Sequence, residues 1–160
     1  MATVSLSLDE IYKLANKTLL ANGCDQETAD ILSELITNAE RDGSLSHGLF
    51  RLPAYVSGLK SGKINGKQKP DIKKLTPSVI KADGKNCLAP VVLNKSIPEL
   101  VKAAKENGVA VLAIINSHHM AAMWPETEKI AEEGLVAFAC TSYKPAVAPA
   151  GAIKPLFGTN

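Results

Sequence analysis

The sequence predicts a mixed α/β chain in which a helical N-terminal segment precedes an α/β layer that is not of the Rossmann type. Three observations carry this. Apolar residues recur at helical spacing as far as Gly62. From Val79 onward, short apolar runs alternate with helical patterns, giving a β–α–β–α–β order. Neither GxGxxG nor GxxxxGK[ST] occurs anywhere, which disfavours a Rossmann dinucleotide fold and a P-loop.

Ser7-Leu8-Asp9-Glu10 has the form of a capping box, with Ser7 as N-cap and Glu10 at N3. Ile11, Leu14, Ala15 and Leu19 follow at helical spacing and Gly23 ends the helix. Asp25 is the next expected N-cap, before an amphipathic helix marked by Ala29, Leu32, Leu35, Ile36 and Ala39 that stops near Gly43. A third helix is expected to start between Ser44 and Ser46, to carry Leu52, Tyr55, Val56 and Leu59, and to end at Gly62. KINGKQKPD then reads as a linker, with an Asn65-Gly66 turn and Pro70. This places a helical unit over residues 1–68 and an α/β unit over 69–160. Within the second unit, Val79 to Lys81 is an expected strand, Lys95 to Asn107 a helix closed by Gly108, and Val109 to Ile115 a buried strand. Met120 to Glu133 is expected to be helical around Pro125, and Leu135 to Cys140 to be another buried strand. The tail, with Pro145, Pro149 and Pro155, is irregular.

Composition excludes several classes. A net charge of +2 is too small to argue for nucleic acid or a membrane surface. No run approaches the ~18 unbroken apolar residues of a transmembrane helix. The opening MATVSLSLDE is acidic and lacks an apolar core, so it is not expected to act as a signal peptide. Cys24, Cys87 and Cys140 form no CxxC pair, so neither a zinc site nor a disulfide scaffold is indicated and three reduced, buried thiols in a cytoplasmic protein are expected.

The chemistry concentrates in one place. The chain has two arginines, Arg41 and Arg51, and both flank Ser46-His47. If Ser46 to Arg51 form the first turn of the third helix, His47 and Arg51 share a face. A site for a 2-oxo or 2-imino acid needs such a pair. Arginine clamps a carboxylate bidentately, and a histidine one turn away protonates the carbonyl oxygen or imine nitrogen as hydride arrives at the adjacent carbon. Ser46 can hydrogen-bond the imidazole or cap the helix. Read alone, the segment also fits a capped helix with a surface His and Arg. A second cluster, Asn116-Ser117-His118-His119-Met120, follows an expected strand and opens into an expected helix, where α/β folds place ligands; it also fits a plain polar loop capped by Ser117. A metal site is disfavoured there for want of a nearby carboxylate. Trp124, the only tryptophan, is expected in the core or an interface.

Three stretches, AERDGSLSHGLFRLPAYVSGLKSGKING, NSHHMAAMWPETEKIAEEGLVAF and PAVAPAGAIKPLFGTN, resemble the N-terminal signatures of the type-2 malate/L-lactate dehydrogenase family. The run from Ser117 to Pro125 is similar to the branch that reduces Δ1-piperideine-2-carboxylate and Δ1-pyrroline-2-carboxylate, although Met120 stands where that branch usually has Phe. The resemblance implies a partial NAD(P)-binding α/β domain, NADPH or NADH as cofactor, a small imino or keto acid as substrate and a homodimer. It implies His47 as proton donor with Ser46 in its relay, and Arg51 and Thr159 on the substrate. His118, His119, Met120 and Ser142 would line the cofactor pocket, with Tyr143-Lys144 departing from the usual pattern. The aspartate that completes the family's histidine relay belongs to the half of the family sequence beyond GTN. The expected activity is reduction of a cyclic 2-imino acid to the L-amino acid. A malate/lactate-type 2-hydroxyacid dehydrogenase is the alternative, and a non-catalytic helical dimerisation or binding module is the alternative of another class.

Overall fold

In the computed structural model, the described residues are 4–118, 120–142 and 144–158. They form α1 (Leu8–Ala21), α2 (Gln26–Arg41), two 3-10 turns (Leu45–His47 and Leu49–Arg51), α3 (Leu52–Lys60), β1 (Asp71–Thr76), β2 (Val79–Asp83), α4 (Ala89–Asn107), β3 (Val111–Ile115) and α5 (Trp124–Ala131).

Both expected caps form. The Ser7 hydroxyl accepts from Glu10 N–H at 3.3 Å, and Ser7 N–H donates to the Glu10 carboxylate at 2.8 Å. Asp25 accepts from Thr28 N–H at 2.9 Å. Between these helices Gly23 sits at φ +102°, a backbone state that favours glycine. The hairpin closes on Ile11, Ala15 and Leu19 from α1 and Ala29, Leu32 and Ile36 from α2. The same cluster takes in Leu52 and Tyr55 of α3, Ile64, and Leu88 and Val91 at the start of α4.

The segment read as a linker is a pinned seam. Asp25 N–H donates to Gly66 O at 3.0 Å and Asn65 N–H to Asn86 O at 2.9 Å. Ile64 is buried, and Lys69 pairs with Asp25 at 2.8 Å and Glu27 at 2.6 Å. Burial alone would raise the Asp25 carboxyl, but the Lys69 ammonium and the Thr28 amide outweigh it and hold it below its ordinary value. A carboxyl lowered on folding adds stability above its unfolded pKa of ~3.9, and that stability is lost as pH falls through the lower folded value. Asp25→Ala is therefore expected to cost about 0.5–2 kcal/mol near neutral pH, with the gap from wild type closing in acid below about pH 4. Urea titrations at several pH values check this; a gap that persists unchanged at low pH would contradict it.

The sheet has the order β1-β2-β3, with β1 antiparallel to β2 and β2 parallel to β3. The β2–α4–β3 crossover packs Ala82, Cys87 and Val92 into a second small cluster beside Leu112 and Ile114. Several elements differ from the sequence expectation. β1 is new, an edge strand whose Lys73 and Lys74 are exposed. α4 starts at Ala89, with Pro90 in its first turn where a missing N–H costs little. α5 is confined to Trp124–Ala131 because residues 120–123 are not helical. β3 is half-exposed rather than buried, with Val111 and Ile115 on its open side. Residues 135–140 form no strand: Val136 and Phe138 are exposed. An apolar run becomes a strand only where a neighbour accepts its backbone hydrogen bonds, and none among the described residues does so. Cys24 and Cys87 are buried and Cys140 is exposed, which corrects the expectation of three buried thiols.

Candidate active site

The SHG segment does not form the first turn of a continuous helix. Gly48 adopts φ −87° and ψ −136° and splits it into two 3-10 turns. The Gly48 backbone lies against the Glu40 side chain, which a side chain here would have to displace, and Glu40 Oε1 accepts from Leu49 N–H at 2.7 Å. His47 and Arg51 consequently lie on successive turns, not one α-helical turn apart as the spacing predicted.

His47 is held by serines. Its Nδ1 lies 3.0 Å from Ser46 Oγ and 3.4 Å from Ser44 Oγ. Its ring meets Trp124 edge to face, with centroids 6.2 Å apart and planes at 76°. Trp124 also contributes a hydrogen bond to Asp42, whose carboxyl is lowered first of all by the Arg41 guanidinium. Arg41 binds Asp42 through two contacts of 2.8 and 3.1 Å. The two arginines that the sequence grouped together therefore part: Arg41 is committed to its neighbour, whereas Arg51 has a buried Nε with no hydrogen-bond partner among the described residues. Tyr55, four residues on, is fully buried, and its hydroxyl likewise lacks a partner among them.

The second cluster is built at the end of β3. Asn116 takes φ +50° and donates to both oxygens of Asp83 at 3.1 and 3.2 Å, turning the chain away from the sheet. His118 then bridges to the start of α4: its N–H donates to Cys87 O at 3.0 Å and its carbonyl accepts from Ala89 N–H at 2.9 Å. These bonds fix the loop, and they occupy the amide that an anion at the α4 terminus would use. The helix expected directly after β3 begins only at Trp124, so no helix terminus opens there. Met120 packs on the helical core cluster. His119, Tyr143 and Thr159 lie outside the described residues.

A cleft runs between β3 and residues 135–142. Asn116, Ser117 and Ser142 give it polar positions, and Ile114, Met123 and Phe138 give it apolar walls. Hydroxyl and amide groups beside flat apolar surface fit a nicotinamide ring and its carboxamide. No group of His, Cys, Asp and Glu among the described residues could hold a metal ion, and no helix among them is long and apolar enough to cross a membrane. Sequence reasoning placed Trp124 only in the core or an interface; its contact with His47 is a long-range one that no local pattern signals.

The family described as malate/L-lactate dehydrogenase matches residues 6–160. A Δ1-pyrroline-2-carboxylate reductase of Ancylobacter novellus is 42% identical over 157 residues, covering 98% of this chain and 46% of its own length. The crystal structure of Δ1-piperideine-2-carboxylate reductase from Pseudomonas syringae pv. tomato superimposes with a TM-score of 0.82 at 37% identity, over 98% of this chain and 47% of that one. Malate dehydrogenase from Pyrococcus horikoshii gives a TM-score of 0.86 at 30% identity, over 98% and 45%. The chain thus spans about half the length of the relatives it matches.

Proposed function

Since this chain belongs to the malate/L-lactate dehydrogenase family, we propose that it supplies the substrate-binding and proton-donating residues of an NAD(P)H-dependent reductase acting on a cyclic 2-imino acid, Δ1-pyrroline-2-carboxylate or Δ1-piperideine-2-carboxylate. The observations that carry the reading are a serine-held imidazole at His47 and, four residues on, an arginine, Arg51, whose buried Nε–H has no hydrogen-bond partner among the described residues. Arg51 binds the substrate carboxylate through its guanidinium fork. His47, oriented through Nδ1 by Ser46, delivers a proton to the imine nitrogen, so that the C=N bond becomes CH–NH. A bound NADPH or NADH supplies the hydride for C2. By the family resemblance, His118, His119, Met120 and Ser142 would hold it, of which Ser142 lines the cleft beside β3, and Thr159 would contact the substrate. In this proposal the helical unit, 1–68, carries the proton donor and the carboxylate clamp, and the α/β unit, 69–160, carries the cofactor contacts and Thr159. The working enzyme is a cytoplasmic homodimer without nucleic-acid or membrane partners.

Trp124 favours the cyclic substrate. It sets an apolar indole against the imidazole, a wall suited to ring methylenes rather than to the second carboxylate of a malate-type substrate. The likeness to a malate dehydrogenase favours the second reading, a 2-hydroxyacid dehydrogenase in which His47 protonates a carbonyl oxygen. Initial rates of the enzyme with Δ1-piperideine-2-carboxylate, Δ1-pyrroline-2-carboxylate, pyruvate and oxaloacetate, each with NADPH and NADH, separate the two. Faster turnover of the imines supports the first, faster turnover of the oxo acids the second, and turnover of none sinks both in favour of a binding module.

A further inference from the structure

Short-range contacts hold His47 at one edge only. Its Nδ1 lies 3.0 Å from Ser46 Oγ and 3.4 Å from Ser44 Oγ. A serine hydroxyl rotates to suit whatever faces it, so these contacts hold Nδ1 without setting the plane of the ring. The torsion that sets the plane is χ2, which is broad for histidine. The plane is met from a distant part of the chain by the indole of Trp124, at 76° and a centroid separation of 6.2 Å. An edge-to-face contact of this kind is directional, because the edge of one ring is drawn to the face of the other. The indole is anchored independently of His47. Trp124 opens α5 and is half-buried, and the Thr127 hydroxyl donates to its carbonyl at 2.9 Å. Pro125, the next residue, lines a small cavity together with Ile31, Leu35 and Asn38 of α2.

We propose that Trp124 is the positioning residue for His47: the serines hold Nδ1, the indole sets the plane of the imidazole, and the two together fix the direction of Nε2. The inference rests on the proton-donor reading of His47 for its consequence in catalysis. It differs from the apolar wall that the same indole offers to a substrate ring, since a wall acts on binding whereas the alignment of an acid acts on turnover. Displacing a reacting group by about 1 Å costs up to roughly a hundredfold in rate. Trp124 also follows Ser117 and Met123, which line the cleft beside β3. The segment that borders the proposed cofactor site thus carries the residue that aligns the acid.

The test uses Trp124→Leu, which keeps apolar bulk and loses the flat ring, and Trp124→Phe, which keeps an aromatic edge. The first readout is the mobility of the His47 imidazole, followed by NMR relaxation in protein labelled with ¹³C-histidine and assigned by loss of the signal in His47→Ala. A ring that is rigid in wild type and Trp124→Phe and mobile in Trp124→Leu is the expected result; a ring equally rigid in all three overturns the proposal. The second readout is kinetic. Trp124→Leu is expected to lower kcat roughly ten- to a hundredfold, and Trp124→Phe to recover most of that loss. In a His47→Ala background, Trp124→Leu is expected to leave kcat where His47→Ala alone puts it; an equal fall in both backgrounds overturns the positioning role. A rise in KM that is the same in both backgrounds reports the wall, and with no fall in kcat and no change in ring mobility it overturns the proposal. A mobile ring in Trp124→Leu with kcat unchanged confirms that the indole fixes the imidazole and removes instead the proton-donor role assigned to His47 above.

Discussion

Arg51→Lys is expected to raise the KM for the imino or oxo acid by roughly tenfold to a hundredfold, the equivalent of about 1.5–3 kcal/mol for a hydrogen bond to a charged group. The substitution keeps the positive charge, so the loss isolates geometry. A guanidinium offers two parallel N–H bonds to a carboxylate, whereas an ammonium on a flexible stem offers a point charge and surrenders more conformational freedom to do so. The other arginine supplies an internal control. Arg41 is tied to Asp42 at 2.8 and 3.1 Å on an exposed surface, so Arg41→Lys is expected to leave KM near its original value. Steady-state kinetics on both variants with the preferred substrate provide the check. Equal KM values for wild type and Arg51→Lys across all four candidate acids would remove Arg51 from the substrate site.

The parts of the fold that were legible in the sequence are those set by local chemistry. The Ser7–Glu10 box and the Asp25 cap depend on residues three apart, and both helices begin where those residues stand. What failed was each inference that needed a partner from elsewhere. The i,i+4 relation between His47 and Arg51 assumed a continuous helix, but Glu40, on the preceding helix, packs against Gly48 and breaks the turn there. The apolar run at 135–140 has the composition of a buried strand without a neighbour among the described residues. β1 hid in a charged stretch because an edge strand needs little apolar surface. In the candidate site, Ser46, His47 and Arg51 stood out because the chain is sparing with histidine and arginine. The contact of Trp124 with His47 and the two unmet polar atoms at Arg51 and Tyr55 are tertiary facts, and no spacing rule reports them.

His47→Ala is expected to give the largest single loss, lowering kcat by ~10²–10⁴-fold, the usual contribution of a positioned general acid. Hydride addition to an imine or carbonyl leaves a basic nitrogen or an alkoxide that must gain a proton within the site. Of the residues around Arg51, His47 is the one whose ring is already oriented: Ser46 and Ser44 stand at Nδ1 and the Trp124 indole packs its edge. In the proposed role, Nε2 is left as the nitrogen that would deliver the proton. Ser46→Ala removes one of the two contacts at Nδ1 and leaves the imidazole in place, so it is expected to cost only about tenfold or less, the worth of one neutral hydrogen bond. The ordering matters more than either value. If Ser46 merely capped a helix, its loss would alter stability and leave kcat alone; if His47 served the cofactor, its loss would weaken NAD(P)H binding first. The two variants are to be compared with wild type by kcat, by fluorescence titration with NADPH and NADH, and by urea unfolding. A His47→Ala enzyme that keeps near-normal kcat, or whose defect lies wholly in cofactor affinity, would falsify the proton-donor role and leave Arg51 as a clamp in search of its acid.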